Sequence, residues 1–156
     1  MAIQTGWREQ YDRMLRSHRR LVDHADGRTG AGSDEVRDAL FHFFQDAYHL
    51  KDWIKNDPGT EHLQPGKAVK RSKPLRIAAD VCNGTKHFGL SEGYTPWTGD
   101  RTTAIDSQSV NVHIGSHVEH SWTINSNGKP WDALELAGYV IDDWTGWLRC
   151  KKLLGD

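Results

Sequence analysis

The chain has 156 residues and a formal net charge of -1, so its total charge gives no general attraction to nucleic acid. Hydrophobic residues make up 37% of the chain and include 7 tryptophans, which favours a packed core. No apolar run approaches the roughly 20 residues of a membrane-spanning helix, and the N-terminus lacks a signal-peptide layout. We therefore expect one domain over residues 1–156, a cytoplasmic location and no membrane partner.

Apolar periodicity predicts helices in the first two thirds of the chain. An amphipathic helix is expected over residues 3–25, and a second from Ser33, a good N-cap, to about Lys55. Residues 56–59, Asn-Asp-Pro-Gly, end the second helix. Residues 60–73 predict a loop that begins with a short helical turn, and the next helix runs from Pro74 or Leu75 to His87, closed by Gly89.

Alternating apolar residues predict a β-hairpin before a final helix. Residues 110–114 and 118–124 both have period two, and residues 102–105 are a candidate third strand. Pro130 suits the first position of a last helix over about residues 131–153. The expected fold is mainly α, a four-helix bundle with a β-hairpin inserted before the last helix.

Two polar stripes lie on the predicted helices beside apolar faces. Arg76, Asp80, Asn83 and His87 recur at i, i+4, i+7 and i+11, which places them along one side of a helix. The second helix repeats this spacing in a stripe made of His42, Asp46, His49 and Trp53. If the stripes face each other, they form one polar site.

The segment Cys82-Asn83-Gly-Thr-Lys-His87 resembles the Arg-Asn-x-x-x-His signature of the HEPN family of small helical domains. Many members of this family are metal-independent endoribonucleases of toxin-antitoxin and defence systems. The resemblance implies that Asn83 and His87 are catalytic, that His49 and Asp46 support them, and that a homodimer builds the site. Cys82 occupies the position of the family's Arg, so Lys86 or Arg76 would have to supply the cation.

A local run of cations without intervening acids precedes the polar stripe. These residues are candidates for contact with the RNA backbone. Together with Lys86 they are the predicted RNA-binding set: Lys67, Lys70, Arg71, Lys73 and Arg76. The resulting hypothesis is an RNA-binding protein, with endoribonuclease activity that requires no cofactor.

Three alternatives remain open from the sequence. The first is a non-catalytic module that binds a protein partner. The second is a metal-binding bundle that uses Asp46, His49 and His87, completed by Asp80 or Asp143. The third is a zinc site at the hairpin, for which the candidates are His113, His117 and His120. The 2 cysteines, Cys82 and Cys150, are expected to be buried free thiols.

Overall fold

The structure is a computed structural model that describes residues 6–113 and 117–155. In these residues the chain is mostly helical, as expected, with a small three-stranded antiparallel sheet. The helices are α1 (Trp7–Ala25), α2 (Ser33–Asn56), α3 (Pro65–Arg71), α4 (Lys73–Lys86) and α5 (Ala133–Cys150). The strands are β1 (Ala104–Val112), β2 (Val118–Ser126) and β3 (Lys129–Asp132). Ile3, the first residue of the predicted first helix, and Ile114, at the end of a predicted strand, lie outside the described residues.

The long helices α1 and α2 pack along each other and form the centre of the hydrophobic core. In α2, apolar residues at helical spacing from Val36 to Ile54 are fully buried. The indole of Trp144 on α5 donates a 3.0 Å hydrogen bond to the carbonyl of Ala47, where it holds α5 against α2. Burial of these apolar faces stabilises the helices far more than their intrinsic propensity does.

The segment expected to be a loop before α4 is instead largely helical. Pro65, Ala68 and Val69 are buried on one side of α3, so three apolar residues in five positions provide a core-facing surface. Ser72 then caps α4 by accepting a 3.0 Å hydrogen bond from the Leu75 amide. Ser72 is therefore the single residue that joins α3 to α4. The lysines and the arginine of α3 are exposed to solvent.

The sheet has the order β1-β2-β3, and alternate side chains of β2 enter the core. The expectation of a third strand at residues 102–105 is wrong, because Ala104 and Ile105 begin β1 itself. The third strand is Lys129–Asp132, of which Pro130, Trp131 and Asp132 were expected to begin the last helix. Pro130 fits there because β3 is an edge strand, and Asp132 caps α5 by accepting a hydrogen bond from the Glu135 amide.

None of the helices among the described residues has the length and apolar character that crossing a bilayer demands.

Candidate nucleic-acid interface

Asp80, in the middle of the polar stripe on α4, is fully buried and anchors the loop after that helix. Its Oδ1 accepts hydrogen bonds from the Tyr94 hydroxyl at 3.0 Å and from the Trp97 amide at 2.9 Å. Its Oδ2 accepts hydrogen bonds from the amide and the hydroxyl of Thr98, at 2.8 and 2.6 Å. Four donors satisfy a carboxylate that burial would otherwise penalise. Asp80 thus determines the course of the loop and faces no open cavity.

Asn83 and His87 line one cleft of about 380 Å³ together with Tyr94, and we call it the α4-end cleft. The Asn83 amide donates to the carbonyl of Ala79 and to the Tyr94 hydroxyl, both at 2.9 Å. Burial, and then the charge of Asp80, raise the pKa of Tyr94 well above its usual value. The His87 side chain is exposed and follows the last residue of α4.

The other two predicted catalytic residues lie elsewhere. Asp46 faces α1: Gln10 donates a 2.9 Å hydrogen bond to its carbonyl, and the Ser17 hydroxyl donates to its Oδ2. His49 lines a separate cleft of about 330 Å³ between α2 and α4, which we call the α2–α4 cleft. Of the four residues, only Asn83 and His87 therefore share a cavity. The two polar stripes do not form the single site that their spacing suggested.

Cys82, at the position of the signature's Arg, is buried in the wall of the α2–α4 cleft. Burial raises the pKa of its thiol to about 11, and the nearby Lys86 opposes this shift only in part. The thiol is neutral at physiological pH, so it supplies neither a cation nor a thiolate nucleophile. Cys150 is exposed, which corrects the expectation that both thiols are buried, and both are free.

A basic surface is formed by α3, the first turn of α4 and β3. Lys73 and Lys129 place their ammonium groups 5.5 and 4.4 Å from the ring centroid of Trp131. None of the cations of this surface forms an ion pair with a carboxylate in residues 6–113 and 117–155. We define the basic surface by seven residues: Lys67, Lys70, Arg71, Lys73, Arg76, Lys129 and Trp131.

Two hydrogen-bond donors of the basic surface have no acceptor among the residues that the structure describes. Nε of Arg76 and Nε1 of Trp131 are buried, and neither has a partner in the described parts of the chain. A buried donor without an acceptor costs about 1–3 kcal/mol. Lys86, predicted to bind RNA with the others, lies 13 residues after Lys73, about 20 Å along α4, and lines the α2–α4 cleft. Lys86 is therefore separate from the basic surface.

The metal-ligating groups fall into a different pattern from the one expected. Across the described ranges, one group of three metal-ligating side chains converges, made of His113, His117 and Glu119. His120 points to the opposite face of the sheet, where it is buried and stacks on Trp122. Asp46, His49 and His87 do not converge in this way. Asp143, a candidate to complete their set, accepts a hydrogen bond from the Ser72 hydroxyl instead.

Comparison of the chain with protein-family models, curated proteins and solved structures found no significant match. The likeness to the HEPN signature therefore stays a prediction that depends on Asn83, His87 and the order of the helices.

Reasoning from the sequence missed Lys129, Trp131, Tyr94 and Glu119. Trp131 was assigned to the last helix and Lys129 to no element, so their strand neighbours were not considered. Tyr94 lies in a turn-rich segment whose contacts with α4 have no periodic signal. Glu119 was detectable, because residues two apart in a strand share a face and therefore place Glu119 beside His117.

Proposed function

We propose that this protein binds single-stranded RNA through the basic surface. The observation that carries the proposal is the arrangement of Lys73 and Lys129 around the ring of Trp131. Proteins that bind single strands combine cations that follow the phosphates with an aromatic side chain on which bases stack. A net charge of -1 is no obstacle, because an unpaired local group of cations is sufficient for phosphate contact.

The unpartnered donors of Arg76 and Trp131 support the same proposal. Both groups are hydrogen-bond donors only, and phosphate and base oxygens are acceptors. Small rotations of these side chains toward a bound strand would satisfy donors that the described residues leave unpaired. Arg76 follows Lys73 by one helical turn, so its donor and the Lys73 ammonium group lie on the same side of α4.

The binding proposal is tested with a fluorescent single-stranded RNA oligonucleotide and anisotropy titrations. We expect Lys73→Gln/Lys129→Gln to weaken binding roughly tenfold, because two phosphate contacts are lost. Lys55→Gln/Lys151→Gln is the matched control. Lys151 also lies over a tryptophan, 5.9 Å from the Trp147 ring, but at the far end of α5. Equal losses in the two double variants, or no binding by the wild type, would contradict the proposal.

Cleavage of the bound strand is the finer part of the proposal, and it involves the α4-end cleft. The exposed His87 imidazole would act as the acid/base or phosphate-orienting group. Asn83 would accept a hydrogen bond from the ribose 2′-OH through Oδ1, because its amide hydrogens are donated to Ala79 and Tyr94. Asp46 and His49 take no part, because neither lines this cleft.

The test of cleavage is an RNA degradation assay in the presence of a metal chelator. We expect His87→Ala to abolish cleavage without changing RNA affinity, and His49→Ala to retain full cleavage. Cleavage that persists in His87→Ala would exclude the proposed role. The buried neutral thiol of Cys82 favours an alternative, a non-catalytic module that binds RNA or a protein partner. In that case neither the wild type nor any variant cleaves RNA.

We also propose a homodimer, together with the four-helix bundle expected for the fold. Phe88, next to His87, is fully exposed, and an apolar ring in that position is suited to contact a second copy. For the bundle, α1 contacts α2, α2 contacts α4, α4 contacts α5 and α5 contacts α1, with α3 as a short addition. Light scattering measures the mass in solution and tests the dimer. We expect the wild type to be a dimer and Phe88→Ser to be a monomer.

A further inference from the structure

Three metal-ligating side chains converge on the outer face of the β1–β2 hairpin. Val112 pairs with Val118 in the strand register, and the amide of His113 donates a 2.9 Å hydrogen bond to the carbonyl of His117. His113 and His117 are therefore the next cross-strand pair. Glu119 follows His117 by two residues in β2, so its side chain lies on the same face. The hairpin register itself brings the three together.

The distances between the ligand atoms suit a small cation. Nε2 of His113 lies 2.9 Å from one carboxylate oxygen of Glu119, and Nε2 of His117 lies 3.3 Å from the other. One ligand atom from each residue falls within 4.8 Å of those of the other two. Metal–ligand bonds of about 2.0–2.1 Å in a tetrahedral site separate neighbouring ligand atoms by about 3.4 Å. Small side-chain rotations bring the three atoms to that spacing.

The packing of the domain does not account for this cluster. The side chains of His113, His117 and Glu119 are 48%, 38% and 43% exposed, so they are not core residues. The inner face of the hairpin uses His120 and Trp122 for packing instead. A surface pair of His and Glu adds about 0–1 kcal/mol to the stability of the fold. This contribution is too small to be the reason that three such groups converge at one place.

We propose that His113, His117 and Glu119 bind one divalent transition-metal ion, with Zn²⁺ as the best fit. Two imidazoles and one carboxylate are a common ligand set for zinc, and imidazole nitrogen excludes Mg²⁺ and Ca²⁺, which prefer oxygen ligands. The exposure of the site leaves a fourth position to water or to a donor from a bound molecule. The site is independent of the basic surface and of the α4-end cleft.

A metal at this position would cross-link the two strands at the distal end of the hairpin. Binding to the folded state alone raises stability in proportion to the logarithm of the free metal concentration. The thermal midpoint of the full chain should therefore rise with added Zn²⁺, and this readout does not depend on any activity.

The test uses the full chain without a polyhistidine tag, stripped of metal, and isothermal titration with ZnCl₂. We expect one ion per chain. Loss of residues that only orient metal ligands weakens binding about 10- to 100-fold, so removal of a ligand in His113→Ala should cost at least that much. Glu119→Gln, nearly isosteric and exposed, gives a second variant that keeps the fold. His49→Ala is the matched control and should bind as the wild type does.

The spectrum of bound Co²⁺ distinguishes this site from loose surface binding. Cobalt in a site with nitrogen and oxygen ligands from the protein should give a visible spectrum that His113→Ala and Glu119→Gln abolish and His49→Ala retains. Circular dichroism of the metal-free variants confirms that each is folded. Absence of Zn²⁺ binding in the wild type, or equal affinity in His113→Ala, Glu119→Gln and His49→Ala, would overturn the proposal.

Discussion

The Tyr94 hydroxyl donates a 3.0 Å hydrogen bond to the buried carboxylate of Asp80 and so ties the loop after α4 to the helix. The same carboxylate accepts two backbone N–H groups, from Trp97 and Thr98. Asp80 therefore anchors the segment between α4 and β1 to the helix. The wall of the α4-end cleft, to which Tyr94 belongs, depends on this anchor.

Replacement of Asp80 by Asn should destabilise the protein by about 3 kcal/mol. The amide has nearly the same shape but loses the charge, and its NH₂ group would face donors that now point at a carboxylate oxygen. Urea unfolding measures the change. Asp106→Asn is the control, because Asp106 is exposed, and its effect should be within about 0.5 kcal/mol. Equal stability of the two variants would contradict the anchoring role.

Stability should fall in alkaline solution because of Tyr94. Its pKa is raised in the folded state, first by burial and then by Asp80, so the folded state holds the phenolic proton more tightly than the unfolded state. This contribution is complete below the unfolded pKa of about 10 and is lost as the pH rises toward the folded pKa. Urea unfolding below and above about pH 10 measures the free energy of unfolding. This free energy should fall less with rising pH in Tyr94→Phe than in the wild type. An identical pH profile would refute the assignment.

The end of α4 contains a strained residue. Phe88 has a φ of 57° and follows the cap residue His87, in the position where helices usually place glycine. The Gly89 amide closes the motif with a 2.7 Å hydrogen bond to the Gly84 carbonyl. Because the Phe88 ring is fully exposed in the single chain, its removal costs no packing within that chain. Phe88→Gly should therefore raise the free energy of unfolding by about 1 kcal/mol, whereas Phe88→Ala keeps the strain and should change it little.

The sequence predicted that this helix ends at His87 and is closed by Gly89, whereas the first left-handed residue after the helix is Phe88, one position earlier. Glycine at 89 and an aromatic residue at 88 favour that reading, because bulky residues rarely adopt positive φ. The exposed, strained Phe88 is consistent with a role in binding, such as the proposed contact with a second copy. If Phe88→Gly raises the free energy of unfolding but weakens the association of two copies, the strained conformation of Phe88 is linked to the dimer contact.

The hairpin packs on the α1–α2 loop through Gly27. Gly27 has a φ of 83°, and an added Cβ would lie 2.6 Å from the Val118 carbonyl oxygen. Gly30 also has a positive φ, 67°, but open space around it. Gly30→Ala should cost about 1 kcal/mol from backbone strain alone, and Gly27→Ala about 1–2 kcal/mol more from the clash. Faster amide exchange in β2 only in Gly27→Ala would locate the loss. Equal costs would exclude close packing.

Strong periodicity made parts of the fold predictable from sequence. Helix α2 was expected from Ser33 to about Lys55 and spans Ser33–Asn56, because its apolar residues are buried on one continuous face. The hairpin was expected because apolar residues alternate with polar ones along both of its strands. By contrast, β3 has four residues, too few to show a period, and Pro130 suits both a helix start and an edge strand.

The candidate site was less predictable, because helical spacing places residues on a stripe but does not say what faces that stripe. Asp46 and Asp80 both follow the expected spacing, yet α1 and the loop after α4 bind them as structural acceptors. The basic residues of α3 were found because their chemistry is local in sequence. Trp131 was not, since its contacts with Lys73 come from a strand 58 residues away.

The salt dependence of RNA binding tests the central claim most directly. For single strands, the slope of log K against log salt concentration is negative, and its magnitude falls by about 0.7 for each phosphate contact that is removed. We predict that Lys70→Gln/Arg71→Gln/Lys73→Gln/Lys129→Gln reduces the magnitude of the wild-type slope by about 3. A slope that is unchanged in this variant would contradict the claim that the basic surface binds RNA.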